Sequence, residues 1–145
     1  GTGGALRLIQ ERNFDNILVT NCDILTDLNF IDFLSFHIKQ KAIATMAIKE
    51  HMIMNPFGVV EFNNADYIDT LEKPIYKSFI NAGIYLLNIE ALKVLGDSGR
   101  LDMPDVFEKL VSLEFTPKVF PIHESWGDIG TQKELNRVNL HTPKG

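Results

Sequence analysis

Apolar residues along the chain follow two alternating patterns. Short apolar runs, several of them rich in β-branched residues, are typical of strands buried on both faces, and they occupy residues 17–19, 42–48, 59–62, 79–87 and 118–122. Between these runs, apolar residues at helical spacing predict helices at residues 5–12, 30–38, 89–95, 103–113 and 131–140. Because strands alternate with helices, the pattern predicts an α/β fold with a largely parallel sheet covered by helices on both faces.

The length and charge of the chain limit the classes of protein to which it can belong. Its 145 residues suit one domain, and a net charge of −5 without any run of Lys or Arg argues against binding of nucleic acid polymers. The single cysteine, Cys22, excludes a disulfide within the chain and argues against a cysteine-based zinc site. No apolar run approaches the ~18 residues of a membrane span, and the glycine-rich start has no signal-peptide pattern. These features favour the cytoplasm.

Two aspartates follow buried strands of the predicted sheet. Asp23 comes just after the apolar run at residues 17–19, and Asp128 comes after the run at residues 118–122. Ligands of such sheets bind beyond the carboxyl ends of the strands, where two carboxylates could share a Mg²⁺ that also holds phosphate oxygens. A turn or helix-capping aspartate is the alternative for each residue.

Two further features mark candidate binding residues. Glu72 and Lys73 place opposite charges side by side before Pro74, which could supply the bend that lets both face one ligand. A solvated surface pair is the alternative. Gly58 follows a turn and Gly83 interrupts an apolar strand, which indicates close backbone approach by a ligand or a bulge without one.

Six short motifs occur in one order along the chain. They are Gly1-Thr2-Gly3-Gly4-Ala5-Leu6, Thr20-Asn21-Cys22-Asp23, Asn55-Pro56-Phe57-Gly58-Val59-Val60, Glu72-Lys73-Pro74, Phe79-Ile80-Asn81-Ala82-Gly83-Ile84-Tyr85 and Trp126-Gly127-Asp128-Ile129-Gly130-Thr131. Together they resemble the sugar-phosphate nucleotidyltransferases, or NDP-sugar pyrophosphorylases, from residue 1 to about residue 140. The resemblance implies the Rossmann-like fold of the nucleotide-diphospho-sugar transferases, with a mixed, mostly parallel sheet, in a single partial domain over residues 1–145.

The resemblance also implies a role for each matching residue. Asp23 and Asp128 match the two metal-binding aspartates, and Lys73 matches the lysine at the sugar phosphate, so these three are the candidate catalytic residues. The other matches are candidate substrate-binding residues: Gly3 and Gly4 for the base and ribose, Gly58, Glu72, Asn81 and Gly83 for the sugar, and Trp126.

The activity that the resemblance implies is transfer of a nucleotidyl group from a nucleoside triphosphate to a sugar 1-phosphate, of the guanylyl, thymidylyl or uridylyl type. The products are an NDP-sugar, a building block for polysaccharides, and pyrophosphate, with Mg²⁺ as the cofactor. The contribution of the protein is positioning and charge neutralisation. The alternative is a protein of the same fold that senses a sugar nucleotide without turning it over.

Two departures from the family pattern qualify this expectation. Cys22 stands where Gly is more usual, which is similar to a bacterial subgroup whose transferase follows a pair of CBS domains and makes GDP-sugars. The family's first strand and its Gly-rich triphosphate loop should precede residue 1, so the chain as given is expected to be an inactive fragment. Loss of that strand would open a sheet edge and favour homo-oligomers through pairing with a second copy.

Overall fold

A computed structural model of the chain describes residues 2–9, 13–96 and 99–130. The strands are β1 (Asn16–Thr20), β2 (Ile24–Thr26), β3 (Ala44–Met54), β4 (Val59–Asn63), β5 (Asp66–Leu71), β6 (Ile75–Asn88), β7 (Lys118–Ile122) and β8 (Trp126–Asp128). The helices are α1 (Phe30–Lys39), α2 (Met103–Ser112) and two 3₁₀ helices, Gly4–Leu8 and Ile89–Val94. The described part of the segment predicted as the first helix, and the segment predicted as the third, therefore form the tighter 3₁₀ geometry. The predicted helix at residues 131–140 lies outside the described residues.

The central sheet has four strands in the order β1-β6-β3-β7. Strand β6 is antiparallel to both of its neighbours, whereas β7 is parallel to β3. The strands β1, β3 and β7 therefore share one direction and β6 opposes them, which confirms the α/β fold with a mixed sheet. The reversal of β6 has a local cause, because the antiparallel hairpin of β4 and β5 connects β3 to β6 where a parallel pair would need a crossover.

Strand β6 carries the core on both of its faces. Ile84 and Leu86 point to one side and pack in a cluster with Phe33 of α1. The alternating residues Tyr85 and Leu87 point to the other side and pack against α2. All five side chains are buried, and each contributes about 1.5–3 kcal/mol through removal of its surface from water. Helices thus cover both faces of the sheet, as the apolar pattern predicted. No helix within the described ranges is long and apolar enough to cross a membrane.

The outer halves of β3 and β6 leave the core together as a two-stranded ribbon. Their pairing continues from Lys49 opposite Ile80 to Met54 opposite Ile75. Most side chains of this ribbon and of the β4–β5 hairpin are exposed. The ribbon matters for the site because the Glu72-Lys73-Pro74 motif connects the hairpin to β6.

His37 is the buried polar residue of α1. It is only 1% exposed, and its Nδ1 lies 2.7 Å from the Thr45 hydroxyl while its Nε2 lies 3.1 Å from Asn16 Oδ1. Because an amide oxygen can only accept, Nε2–H donates to Asn16 and Nδ1 accepts from Thr45. Burial lowers the pKa of His37 below its ordinary value, so the neutral ring is the folded form.

We expect this histidine to make the fold less stable in mild acid. The unfolded chain takes up a proton near pH ~6.5, whereas the folded chain does so only at lower pH, so the free energy of unfolding declines as pH falls below about 6.5. Urea titrations of the natural full-length protein between pH 7.5 and 5.5 measure this decline. The His37→Gln variant should show a shallower dependence on pH, whatever its absolute stability. Identical slopes for the two proteins would contradict the assignment.

Candidate active site

Strands β2 and β8 bring Asp23 and Asp128 together. Asp23 precedes β2, Asp128 ends β8, and their antiparallel pairing sets Ile24 opposite Asp128. The backbone N–H of Ile129 donates to the carbonyl oxygen of Asp23 at 2.8 Å. A β-carbon built on Gly130 would lie 3.0 Å from Asp128 Oδ1 and 3.7 Å from Asp23 Oδ2. The two carboxylates therefore converge on one small volume beside Gly130, although they are far apart in the sequence.

The two carboxylates differ in their surroundings. Asp128 Oδ1 accepts a hydrogen bond from the backbone N–H of Gly130 at 2.8 Å. Asp23 Oδ1 is buried, and no group in the described part of the chain donates a hydrogen bond to it. A buried carboxylate oxygen without a partner is unfavourable unless a cation or donor meets it. The pair thus fits Mg²⁺, which takes one or two protein carboxylates and fills its other positions with water and phosphate oxygens. The role of both residues as metal ligands stays a prediction.

Gly83, within β6, contacts the segment that leads to Asp23. Its φ of +72° lies in the left-handed region, and a β-carbon there would lie 2.9 Å from Asn21 Nδ2. The backbone N–H of Asn21 donates to the Gly83 carbonyl at 2.8 Å. The register between β3 and β6 shifts at this point, between Met46 and Ile48. The strand therefore bulges at Gly83, and the group that closely approaches its bare backbone is the Asn21 side chain of the same protein.

The neighbours of Gly83 along β6 complete this part of the site. The Trp126 indole N–H donates to the carbonyl of Ala82 at 2.9 Å, which fixes the start of β8 against β6. Asn81 accepts from the Gly83 N–H at 2.9 Å and donates to the Tyr85 hydroxyl at 2.8 Å. Residues 81–83 thus contact both the segment that leads to Asp23 and the strand β8 that ends at Asp128. Contact of Asn81, Gly83 and Trp126 with a substrate stays a prediction.

A second group of candidate residues lies where β5 ends. A β-carbon on Gly58 would lie 3.3 Å from Glu72 Oε2, so the Glu72 carboxylate packs closely against the backbone of Gly58. The Asn55 N–H donates to the Pro74 carbonyl at 2.9 Å, which joins the two motifs. Lys73 has a φ of +45°, so the bend that the sequence placed at Pro74 begins at the lysine itself. These residues are mostly exposed and are connected to the aspartate group through β6.

The glycine-rich start packs on α2. The Gly3 N–H donates to the Leu101 carbonyl at 3.0 Å, and a β-carbon on Gly3 would lie 3.3 Å from the Asp102 backbone. The Thr2 N–H donates to Asp102 Oδ1 at 2.8 Å, and this bond, helped by Arg100, lowers the pKa of the Asp102 carboxyl. Gly3 is therefore closely packed, whereas the nearest atom to a β-carbon on Gly4 would be the Leu101 carbonyl oxygen, at 4.0 Å. Their role at the base and ribose stays a prediction.

Sequence reasoning overlooked two residues of these groups. Asn21 was quoted within a motif, yet it was given no role, and it is the side chain that fills the space left by Gly83. Asp102 was given no role, although its carboxylate accepts a hydrogen bond from the N–H of Thr2. The signal for Asn21 was its position two residues before Asp23, at the end of a buried strand. The partner of Asp102 lies 100 residues away, so no local pattern could indicate it.

Comparisons with known proteins place the chain among enzymes of one kind. Residues 1–145 match the family model described as Nucleotidyl transferase. A mannose-1-phosphate guanyltransferase of Yarrowia lipolytica is 29% identical over 142 residues, which cover 93% of this chain and 39% of that protein. A glucose-1-phosphate adenylyltransferase of Clostridium acetobutylicum is 24% identical in an alignment 175 residues long, which covers 98% of this chain and 45% of that protein.

The solved structures agree on the fold. HddC from Yersinia pseudotuberculosis superposes with a TM-score of 0.63 at 19% identity, covering 94% of this chain and 60% of that chain. At this identity the likeness concerns the fold alone. The chain spans about two fifths of the length of the curated relatives it matches.

Proposed function

Because the chain belongs to the nucleotidyl transferase family, we propose that the protein joins a sugar 1-phosphate to a nucleoside triphosphate. An oxygen of the sugar phosphate attacks the α-phosphorus, the bond to the β-phosphate breaks, and pyrophosphate leaves with its electron pair. The product is an NDP-sugar, which could supply polysaccharide synthesis in the cytoplasm. The names of the relatives support sugar 1-phosphates as the substrate class, and they divide between guanyl and adenylyl transfer.

One observation carries this proposal: the carboxylates of Asp23 and Asp128 converge beside Gly130, and one buried oxygen of Asp23 has no donor in the described residues. In the proposal these two residues hold Mg²⁺. When bound, the ion neutralises phosphate charge and polarises the phosphorus centre. The two carboxylates would hold the ion beside the reacting phosphates, and Asp23 Oδ1, which is buried, would keep water away from that side of the site.

The remaining candidate residues have roles in binding and orientation. Lys73 supplies a positive charge for the phosphate of the sugar, and the neighbouring Glu72, whose carboxylate lies beside Gly58, accepts hydrogen bonds from sugar hydroxyls. Asn81 and Gly83 border the sugar, with Trp126 beside them. Gly4, which follows the packed Gly3 and is half-buried, contacts the base and ribose through its backbone. No covalent intermediate is required, since positioning and charge neutralisation suffice for this reaction class.

The proposal is tested by a substrate screen with the natural full-length protein. ATP, GTP, UTP and dTTP are each combined with glucose 1-phosphate and mannose 1-phosphate, and pyrophosphate release is measured with and without Mg²⁺. We expect release with at least one pair, only in the presence of the metal. The Asp128→Asn variant should lower that rate by about 10²–10³-fold, because it removes a charge that holds the ion.

Two outcomes would contradict the proposal. Undiminished pyrophosphate release by Asp128→Asn would refute the assignment of Asp128 as a metal ligand. Binding of an NDP-sugar without any transfer, by a protein that also lacks pyrophosphorolysis, would favour the sensing function instead.

A further inference from the structure

Lys49 binds the connection between β7 and β8. It lies in β3, opposite Ile122 in the parallel pairing with β7. Its ammonium donates to the carbonyl oxygen of Glu124 at 2.9 Å and lies 3.4 Å from the carbonyl oxygens of Ile122 and His123. An ammonium has three donors and no acceptor, so it can serve three consecutive carbonyls that turn toward one point.

The same connection is also held by the last residue of β2 and the residue that follows it. The Thr26 hydroxyl and the Asp27 N–H both donate to the Ser125 carbonyl, at 2.9 and 3.0 Å. Strand β8 follows at once, is three residues long, and among the described strands pairs only with β2. The position of Asp128, the last residue of β8, therefore depends on this pairing, on the hydrogen bonds of Trp126 and Ile129 described above, and on the path of the connection into β8.

We propose that Lys49 is a positioning residue for the Asp23–Asp128 site. By holding three successive carbonyls, it fixes the path of the chain from β7 into β8 and thereby fixes the Asp128 carboxylate opposite that of Asp23. Without the ammonium, the aligned carbonyl dipoles repel one another and turn toward water. The connection then relaxes, and the spacing of the two carboxylates is set less narrowly, by the pairing of β2 with β8 and its hydrogen bonds alone. This inference rests on the proposed function to the extent that the two aspartates bind a divalent ion.

The sign of the effect separates positioning from simple electrostatics. Lys49 is a cation, and removal of a cation from the surroundings of a cation-binding site should strengthen binding of a divalent ion. Loss of positioning should weaken it, as substitution of groups behind metal ligands does by about tenfold or more. If a folded variant without this charge binds the divalent ion more weakly, loss of positioning is therefore the explanation.

The experiment uses Mn²⁺ as the probe and the natural full-length protein. Free Mn²⁺ is measured by electron paramagnetic resonance during titration of wild type, Lys49→Met, Lys49→Arg and Asp128→Asn. Methionine keeps the length of the stem without the charge, and arginine keeps the charge and several donors. Lys77→Met is the matched control, because it removes an equal charge from the neighbouring strand, where Lys77 pairs with Glu50. Urea midpoints at pH 7.5 report whether each variant is folded.

We expect Lys49→Met to weaken Mn²⁺ binding about tenfold, Lys49→Arg to restore most of it, and Lys77→Met to leave it unchanged. Equal or tighter binding by Lys49→Met would overturn the inference, as would weakening of the same size in Lys77→Met or no restoration by arginine. If Asp128→Asn binds Mn²⁺ like the wild type, or the wild type does not bind it, the metal site itself is wrong. If Asp128→Asn loses Mn²⁺ binding while Lys49→Met keeps it, the metal site stands and only the positioning role of Lys49 is refuted.

Discussion

Replacement of Asp23 by asparagine should abolish most nucleotidyl transfer while leaving the protein folded. Asparagine has the same shape, so the pairing of β2 with β8 and the bond from Ile129 to the residue 23 carbonyl should persist. The variant loses one of two charges that would hold the ion, and transfer should fall by about 10²–10³-fold in kcat. In the absence of metal, Asp23→Asn should be at least as stable as wild type, because it removes a buried anionic oxygen without a donor among the described residues.

This second effect offers a measurement that does not depend on turnover. A ligand that binds only the folded state raises the free energy of unfolding, so Mg²⁺ should raise the urea midpoint of the wild type. The same Mg²⁺ series should leave the midpoint of Asp23→Asn nearly unchanged. The natural full-length protein is used for both measurements, and activity is taken at saturating substrate.

Asp27→Asn is the matched control for Asp23→Asn. Asp27 is an exposed aspartate four positions further along, and it contributes its backbone N–H to Ser125. This substitution makes the same change of charge close to the site, yet it should alter neither transfer nor the Mg²⁺ effect. Activity of Asp23→Asn within threefold of wild type, or an Asp27→Asn variant with the same loss, would refute the assignment of Asp23.

The convergence of the two aspartates could be predicted because it follows from a general property of the fold. Both residues end apolar runs, and strands of like direction in one sheet present their carboxyl ends at one edge. The strands concerned, β1 and β7, do share a direction. What the sequence could not indicate is that β6, which lies between β1 and β3, runs the other way, because an apolar run carries no information on strand direction.

Other parts of the site depend on tertiary contacts that the sequence does not encode locally. The bend beside Glu72 was predicted at Pro74 from the rigidity of proline, whereas Lys73 itself takes the left-handed conformation. Gly3 was interpreted as a ligand contact, and the structure shows that its missing side chain is needed for packing against Asp102. The contact partners of these segments, Asp102 for Gly3 and Asn55 for Pro74, are distant in sequence, so no local pattern could indicate them; contact of Gly3 with a ligand stays a prediction.

Gly83→Ala should be among the most destabilising single substitutions in the sheet. Its φ of +72° costs an ordinary L-residue about 1–2 kcal/mol, and the new β-carbon would lie 2.9 Å from Asn21 Nδ2 and 3.2 Å from Ile24 Cγ1. Such a separation cannot be tolerated, so the Asn21 side chain must move. We expect a total loss of about 2–4 kcal/mol in the free energy of unfolding, measured by urea titration.

Gly96→Ala separates the two contributions of Gly83→Ala. The φ of Gly96 is +69°, almost the same, but a β-carbon there would meet only the flexible end of Lys109 at 3.5 Å. Gly96→Ala should therefore lose only the conformational part, about 1–2 kcal/mol. The displaced Asn21 lies two residues before Asp23, so Gly83→Ala should also raise the Mg²⁺ concentration needed for half-maximal transfer, while Gly96→Ala should not. Equal losses of stability in the two variants would show that the contact between Asn21 and Gly83 does not constrain the site.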